Sequence, residues 1–232
     1  MFEVRGAGER GCSEIHWLSS RHTFSFADYF DPAHVGFHAL RVINEDIVQP
    51  GAGFETHPHR NMEILSYVIR GALAHRDSTG AGSVIRPGDV QRMSAGRGVL
   101  HSEFNASDDE VVHFLQIWLL PEREDLEPSY EQRHFTAAER ADTLRLLASR
   151  EGREGSLTVH QDVDVFGSRL GSGVKLAHAL RPERHAWVQV VGGDLDVNGV
   201  RLCSGDAAAV SAESALAFEA RAPSEFLVFD LA

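Results

Sequence analysis

Short apolar runs separated by turn residues dominate the chain. Ile64 to Ile69, Val111 to Leu120, Trp187 to Val191 and Phe226 to Phe229 are rich in β-branched and aromatic residues, which suit a pleated, half-buried surface. Between the runs fall Pro50-Gly51, Gly71, Pro87-Gly88-Asp89, Gly96-Arg97-Gly98, Gly171-Ser172-Gly173, Gly192-Gly193, Asn198-Gly199 and Ser204-Gly205-Asp206. These turn signals come too often for helices of ordinary length, so the pattern predicts an all-β protein built as sandwiches or barrels. One stretch departs from it. Thr136-Ala137-Ala138-Glu139 is a capping box, and the Ala/Arg/Leu-rich run to Arg150 predicts a short helix that Gly152 and Gly155 end. The later part of that run reads equally as a strand.

The pattern also repeats. Tyr67 to Leu73 followed by Pro87-Gly88-Asp89 resembles Gln189 to Leu195 followed by Ser204-Gly205-Asp206: strand, Gly turn, strand, hairpin, Gly-Asp turn. A duplicated β unit in 232 residues predicts two domains, drawn as residues 1–135 and 151–232 with a short helical linker at 136–150.

Composition narrows the function classes. The formal net charge is −12, from 34 acidic and 22 basic side chains, with no Lys/Arg run. Such a surface repels a phosphate backbone, so no direct nucleic-acid partner is expected. No apolar stretch approaches the ~20 residues a membrane helix needs, and the start lacks the basic and apolar segments of a secretory signal. A cytoplasmic location is the expectation, and monomer and dimer both remain open. Cys12 and Cys203, too far apart to suggest a framework, are expected to be small buried or half-buried side chains.

Histidine spacing carries the chemistry. Among thirteen histidines, His57-Pro58-His59 and His101-Ser102-Glu103 place donor groups at i and i+2. On a strand such pairs share a face, whereas on a helix they diverge. Two pairs on neighbouring strands can converge on one point with three neutral nitrogens and one anionic oxygen. That set suits one divalent transition metal, Fe(II) first, with Mn, Ni, Cu, Zn or Co as alternatives. His113 alternates with Leu115 and Ile117 and is a candidate to line the first barrel. The aromatic cluster Phe24, Phe26, Tyr29 and Phe30 is expected to pack an N-terminal strand against a sheet.

These motifs resemble a known family. Gly51, His57, His59, Glu63 and Gly71 resemble the first cupin motif, with one extra residue before Gly71. Gly98 to His101 and Asn105 resemble the second, with Gly96 where most cupins have proline. The segments RHTFSFADYFDP from Arg21, THPHRNME from Thr56 and MSAGRGVLHSEFN from Met93 are similar to the pirin family. YEQRHF from Tyr130 and VHQD from Val159 are similar to its bacterial quercetinase-like branch. The resemblance implies a bicupin, with His57, His59, His101 and Glu103 as metal ligands. Glu63 then becomes a carboxylate that orients a ligand from behind or serves the structure. It implies a quercetin 2,3-dioxygenase activity, in which a small aromatic flavonol is opened with O2 and Glu103 is the catalytic base. A metal-dependent regulatory protein that binds another protein, or a different small-molecule reaction at the same site, is the alternative. Aligning the repeats puts Ala179, Arg181 and His185 opposite His57, His59 and Glu63. It also puts Phe218 and Ala220 opposite His101 and Glu103, so the second barrel is expected to bind no metal.

Overall fold

The computed structural model describes residues Met1–Ala232, nearly all in strands and tight turns. The chain divides into two compact units. One comprises Gly11–His134 with Leu157–Gln161; the other comprises Met1–Arg10, Phe135–Ser156 and Asp162–Ala232.

The first unit pairs two antiparallel sheets. The larger has seven strands in the order Ser129–His134, Asp89–Ser94, Glu63–Arg70, Val112–Leu119, Leu40–Val48, Leu18–His22 and Gly11–Ile15. The smaller has four, in the order Gly53–His59, Val99–Asn105, Leu73–Asp77 and Gly82–Ile85. Val48, Val68, Val112 and Phe114 from the larger sheet bury against Leu73 and Ile85 from the smaller. This apolar layer holds the sheets face to face.

Both departures from the usual cupin spacing have a physical cause here. Along the edge between Glu63–Arg70 and Val112–Leu119, Arg70 pairs with His113 and Val68 with Phe114, so Ile69 has no partner. The extra residue before Gly71 is thus absorbed as a bulge. Gly96 has φ +46°, which proline cannot adopt. A Cβ there would also lie 1.9 Å from the Leu126 carbonyl oxygen. Gly96→Ala is therefore expected to lower stability by at least ~1–3 kcal/mol, read as a reduced thermal midpoint. An unchanged midpoint would show that the loop relaxes freely.

In the second unit, two long strands organise the barrel. The first half of His185–Val197 pairs with Ala207–Ser211 and its second half with Val200–Cys203. Ala215–Leu231 pairs with it along most of its length, through several register shifts. Leu195, Val197, Leu216, Phe218, Ala220 and Phe226 are fully buried among other apolar side chains.

Two segments lie outside the limits drawn from sequence. Phe2–Arg5 adds as an edge strand to Ala207–Ser211, from Phe2 opposite Val210 to Arg5 opposite Ala207, so the first ten residues group with the second unit rather than with 11–134. The expected helix is short: Thr136 caps Ala137–Arg140 reciprocally with Glu139, but Arg145–Ser149 is a strand paired with Val163–Leu170. Sheet pairing and the burial of Leu146, Leu147 and Ala148 outweigh local helix propensity. Cys12 and Cys203 are both exposed, contrary to the expected burial, because each lies at the rim of a hairpin.

Candidate metal centre

Strands Gly53–His59 and Val99–Asn105 run antiparallel with His101 directly opposite His57. Alternation puts His59 on the same face as His57, and a register shift between His101 and Glu103 adjusts the carboxylate against the neighbouring strand. The three imidazoles form a near-equilateral cluster, with ring centroids 4.8 Å apart for His57 and His59, 4.5 Å for His57 and His101, and 4.7 Å for His59 and His101. One nitrogen from each lies within 4.8 Å of the others.

Tautomers can be assigned in part from hydrogen bonds. His57 Nδ1 lies 2.7 Å from the Glu55 carbonyl oxygen, which only accepts, so Nδ1 carries the proton and Nε2 turns its lone pair to the cluster. His101 Nε2 is 3.0 Å from that nitrogen. Burial first, and then the neighbouring His57, holds His59 down to about 4. Burial first, then His59, His57 and His75, takes His101 to about 2. Both rings are neutral at pH 7, the state that ligates metal.

Glu103 is buried and held from the large sheet. Ser66 Oγ lies 3.1 Å from its Oε1, and the Gln116 side-chain amide donates to Oε2 at 2.6 Å. Burial pushes its carboxyl up to about 7, with the Asp46 charge adding to the rise and the Ser66 and Gln116 contacts opposing it. His75 sits opposite Glu103 on Leu73–Asp77 and falls with His101 and Glu103 in a second group of donor atoms within 4.8 Å. Gln91 donates to His75 Nδ1 at 3.4 Å, and His75 Nε2 donates to Asp77 Oδ2 at 2.9 Å. Tyr130 stacks on the His75 ring at 5.0 Å. Burial lowers the His75 pKa against the opposing pull of Asp77.

A row of polar side chains crosses the large sheet beneath this cluster. His22 pairs with Asn44, Asn44 with Gln116, Gln116 with Ser66, and Ser66 with Gln91. Ser66, Gln116 and Gln91 meet the hydrogen-bonding needs of the buried carboxylate and of His75. The cavity above is lined by His57, His59, Glu103 and the aromatic rings of Phe26, Phe54 and Trp118. Trp118 meets His59 edge-on at 4.8 Å and Phe26 edge-on at 5.4 Å.

The fold has close counterparts. A crystal structure of YhhW from Escherichia coli superposes with a TM-score of 0.97 at 45% identity, covering 100% of this chain and 98% of the other. Bacterial pirin YhhW in complex with nickel(II) superposes at 0.95 with 44% identity, covering 100% of this chain and 99% of that one. The Pirin family model matches residues 4–119, and the quercetinase C-terminal cupin domain model matches residues 146–231. The chain belongs to the pirin family. In sequence this pirin is also 45% identical, over 231 residues, to a quercetin 2,3-dioxygenase of Escherichia coli (strain K12), covering 100% of this chain and 99% of the relative.

The bicupin fold expected from sequence is the fold of this pirin. Its three imidazoles and a buried carboxylate fit a divalent transition metal, because converging neutral nitrogens with one anionic oxygen are a donor set that such ions take. Glu63 lies elsewhere. It accepts from Ser94 Oγ at 2.9 Å and from the His160 backbone N–H at 3.2 Å, and lies 3.3 Å from the His160 ring Nδ1, so it ties down the VHQD segment and holds the His160 ring rather than an imidazole of the cluster. His113 pairs with Glu45 at 2.9 Å, away from the cavity. The Val112–Leu119 strand places Gln116 and Trp118 on the cavity and turns His113, Leu115 and Ile117 to the other face of the sheet, where Leu115 and Ile117 are buried, the reverse of the face considered from sequence.

The aromatic cluster is split. Phe24 is buried, Phe26 lines the cavity from a tight turn closed by reciprocal bonds with Tyr29, and Phe30 is 73% exposed. No strand carries them. In the second barrel, Phe218 and Ala220 fill the core, His178 bonds Asp230 and His185 bonds Ser211. Gln116, Ser66, Gln91 and His75 went unidentified in the sequence. For Ser66 and Gln116 the signal is a polar residue centred in a largely apolar strand, and for His75 it is His75-x-Asp77 at strand spacing, whereas Gln91 sits in a strand already rich in polar residues and carries no such signal.

Proposed function

We propose that this pirin is a metal-dependent dioxygenase that opens flavonols such as quercetin with O2, releasing carbon monoxide. The observation that carries the reading is the cavity itself. Two of the three clustered imidazoles and Glu103 share one chamber with the flat faces of Phe26, Phe54 and Trp118, which suits a planar aromatic molecule presented edge-on to the donor cluster. The E. coli relative named as a quercetin 2,3-dioxygenase aligns along the whole chain.

His57, His59, His101 and Glu103 are the proposed ligands, and Fe(II) the proposed resident ion, since nitrogen ligands with one carboxylate and open positions suit iron oxygenases. When bound there, the ion supplies positive charge that acidifies the flavonol 3-hydroxyl and polarises the substrate. The chain does the rest. Phe26, Phe54 and Trp118 clamp the ring plane and keep water from it. Glu103, with a carboxyl near neutrality and its orientation fixed by Ser66 and Gln116, takes the 3-hydroxyl proton, so that the electron-rich flavonolate meets O2 already oriented. O2 then adds across C2 and C4 of the substrate, and C3 leaves as carbon monoxide. We place the protein in the cytoplasm, a reducing compartment that matches two exposed free thiols.

The test is anaerobic reconstitution with Fe(II), Mn, Ni, Cu, Co and Zn in turn, followed by quercetin and O2, reading flavonol absorbance and carbon monoxide. Turnover that depends on one or two ions supports the reading, and its absence with every ion overturns it. Glu103→Gln should cut turnover by ~10²–10⁴-fold while metal content is retained. Unchanged turnover with metal present would remove Glu103 as the base.

A further inference from the structure

Asp46 is a buried carboxyl that the site described above does not use. It lies on Leu40–Val48 opposite Ser20 on one side and Phe114 on the other, is 4% exposed, and lines the same cavity as Glu103. Ser20 hydrogen-bonds the carboxyl, yet Oδ1 has no partner at all. Its polar neighbours are satisfied among themselves. Asn44 Oδ1 accepts from His22 Nδ1 at 2.9 Å, which leaves His22 Nε2 to accept from Ser13 Oγ at 2.8 Å. A second unmet group shares the chamber: the indole N–H of Trp118 is buried without an acceptor. Burying a polar atom without a partner costs free energy, and native proteins keep few. Asp46 and Trp118 both line one cavity and each keeps a polar atom that the protein leaves unmatched, a pair that suits a ligand carrying hydroxyl groups away from its metal-binding edge.

We infer that Asp46 is a substrate-positioning residue, whose Oδ1 accepts a hydrogen bond from a flavonol hydroxyl other than the 3-hydroxyl. The inference rests on the flavonol reading and adds a specificity to it: the cavity selects polyhydroxylated flavonols over the bare ring system. Ser20 holds the Asp46 carboxyl in place, and the Ser13–His22–Asn44 chain keeps the wall behind it rigid.

The experiment is an anaerobic titration of the Ni(II)-loaded protein with quercetin and with 3-hydroxyflavone, which keeps the 3-hydroxyl and 4-carbonyl but has no other hydroxyl. The wild type should bind quercetin ~2–10-fold more tightly, the size of one net hydrogen bond. In Asp46→Ala that preference should collapse, and in the near-isosteric Asp46→Asn, which keeps a neutral acceptor, it should shrink, with both variants still binding nickel and 3-hydroxyflavone. A preference retained in both folded variants overturns the assignment of Asp46 while leaving the flavonol reading intact. Equal affinity of the wild type for the two compounds overturns it without any variant. Failure of the wild type to bind either compound overturns the flavonol reading, and the positioning role falls with it.

Discussion

His101→Ala should lose metal altogether. His101 belongs to both groups of converging donors, the triad with His57 and His59 and the set with His75 and Glu103, so its removal breaks either mode of coordination. Loss of an outer partner of a ligand commonly costs 10–100-fold in affinity, and loss of a ligand from the centre of the cluster should cost more than ~100-fold. Elemental analysis after dialysis should fall from stoichiometric metal to background, with flavonol turnover abolished. His57→Ala, at the half-exposed edge of the cluster, should repeat the loss with less risk to folding. His113→Ala, whose ring pairs with Glu45 outside the cavity, should keep both metal and turnover. Wild-type metal content in His101→Ala would refute the centre.

The second large effect concerns stability. In the C-terminal unit, Arg184 Nε donates to Asp230 Oδ1 at 2.6 Å and a second guanidinium nitrogen donates to the Asp230 carbonyl at 2.6 Å. His178 reaches Asp230 Oδ2 at 2.8 Å, and both members of the Arg184–Asp230 pair are almost fully buried. Removing Asp230 leaves the buried guanidinium with the half-exposed Asp162, 2.7 Å from one of its nitrogens, as its remaining charged partner, which does not replace the buried bonds to the Asp230 side chain. Asp230→Ala should therefore cost ~2–3 kcal/mol in urea unfolding, the size of a lost buried hydrogen bond between charged groups, whereas an exposed pair such as Lys175–Glu219 should contribute under ~1 kcal/mol. Burial pushes the Asp230 carboxyl up, but the bonds from His178 and Arg184 outweigh it and hold the carboxyl below its ordinary value. Its contribution is thus fully present above the unfolded carboxyl value of about 4 and is lost as pH falls through the lower folded value. Wild-type stability should fall through that acid window, and the Asp230→Ala profile should be flatter there. Matching profiles would mean that the pair does not act as described.

Both effects bear on how much was legible beforehand. The ligand pairs were visible because a strand repeats every two residues wherever it lies, so His57 with His59, and His101 with Glu103, share a face by local geometry alone. The apolar residues that replace ligands in the second barrel were visible for the same reason. Arg184 and Asp230 were not, because each is an ordinary charged residue in sequence and only the barrel's closure makes them neighbours.

The sequence by itself determined the all-β character, the duplication and the two donor pairs. All of these follow from strand period, turn chemistry and residue type, which act over a few residues. Tertiary structure alone decided which face of Val112–Leu119 looks inward, giving Gln116 rather than His113 to the site. It also decided that Phe2–Arg5 completes the distant barrel, that Arg145–Ser149 is a strand, and that Asp46 enters the cavity. A shift of one residue exchanges the two faces of a strand. Only the burial of Phe114 against Leu73 and Ile85, and pairing between segments far apart in the chain, fixes which of the two is chosen.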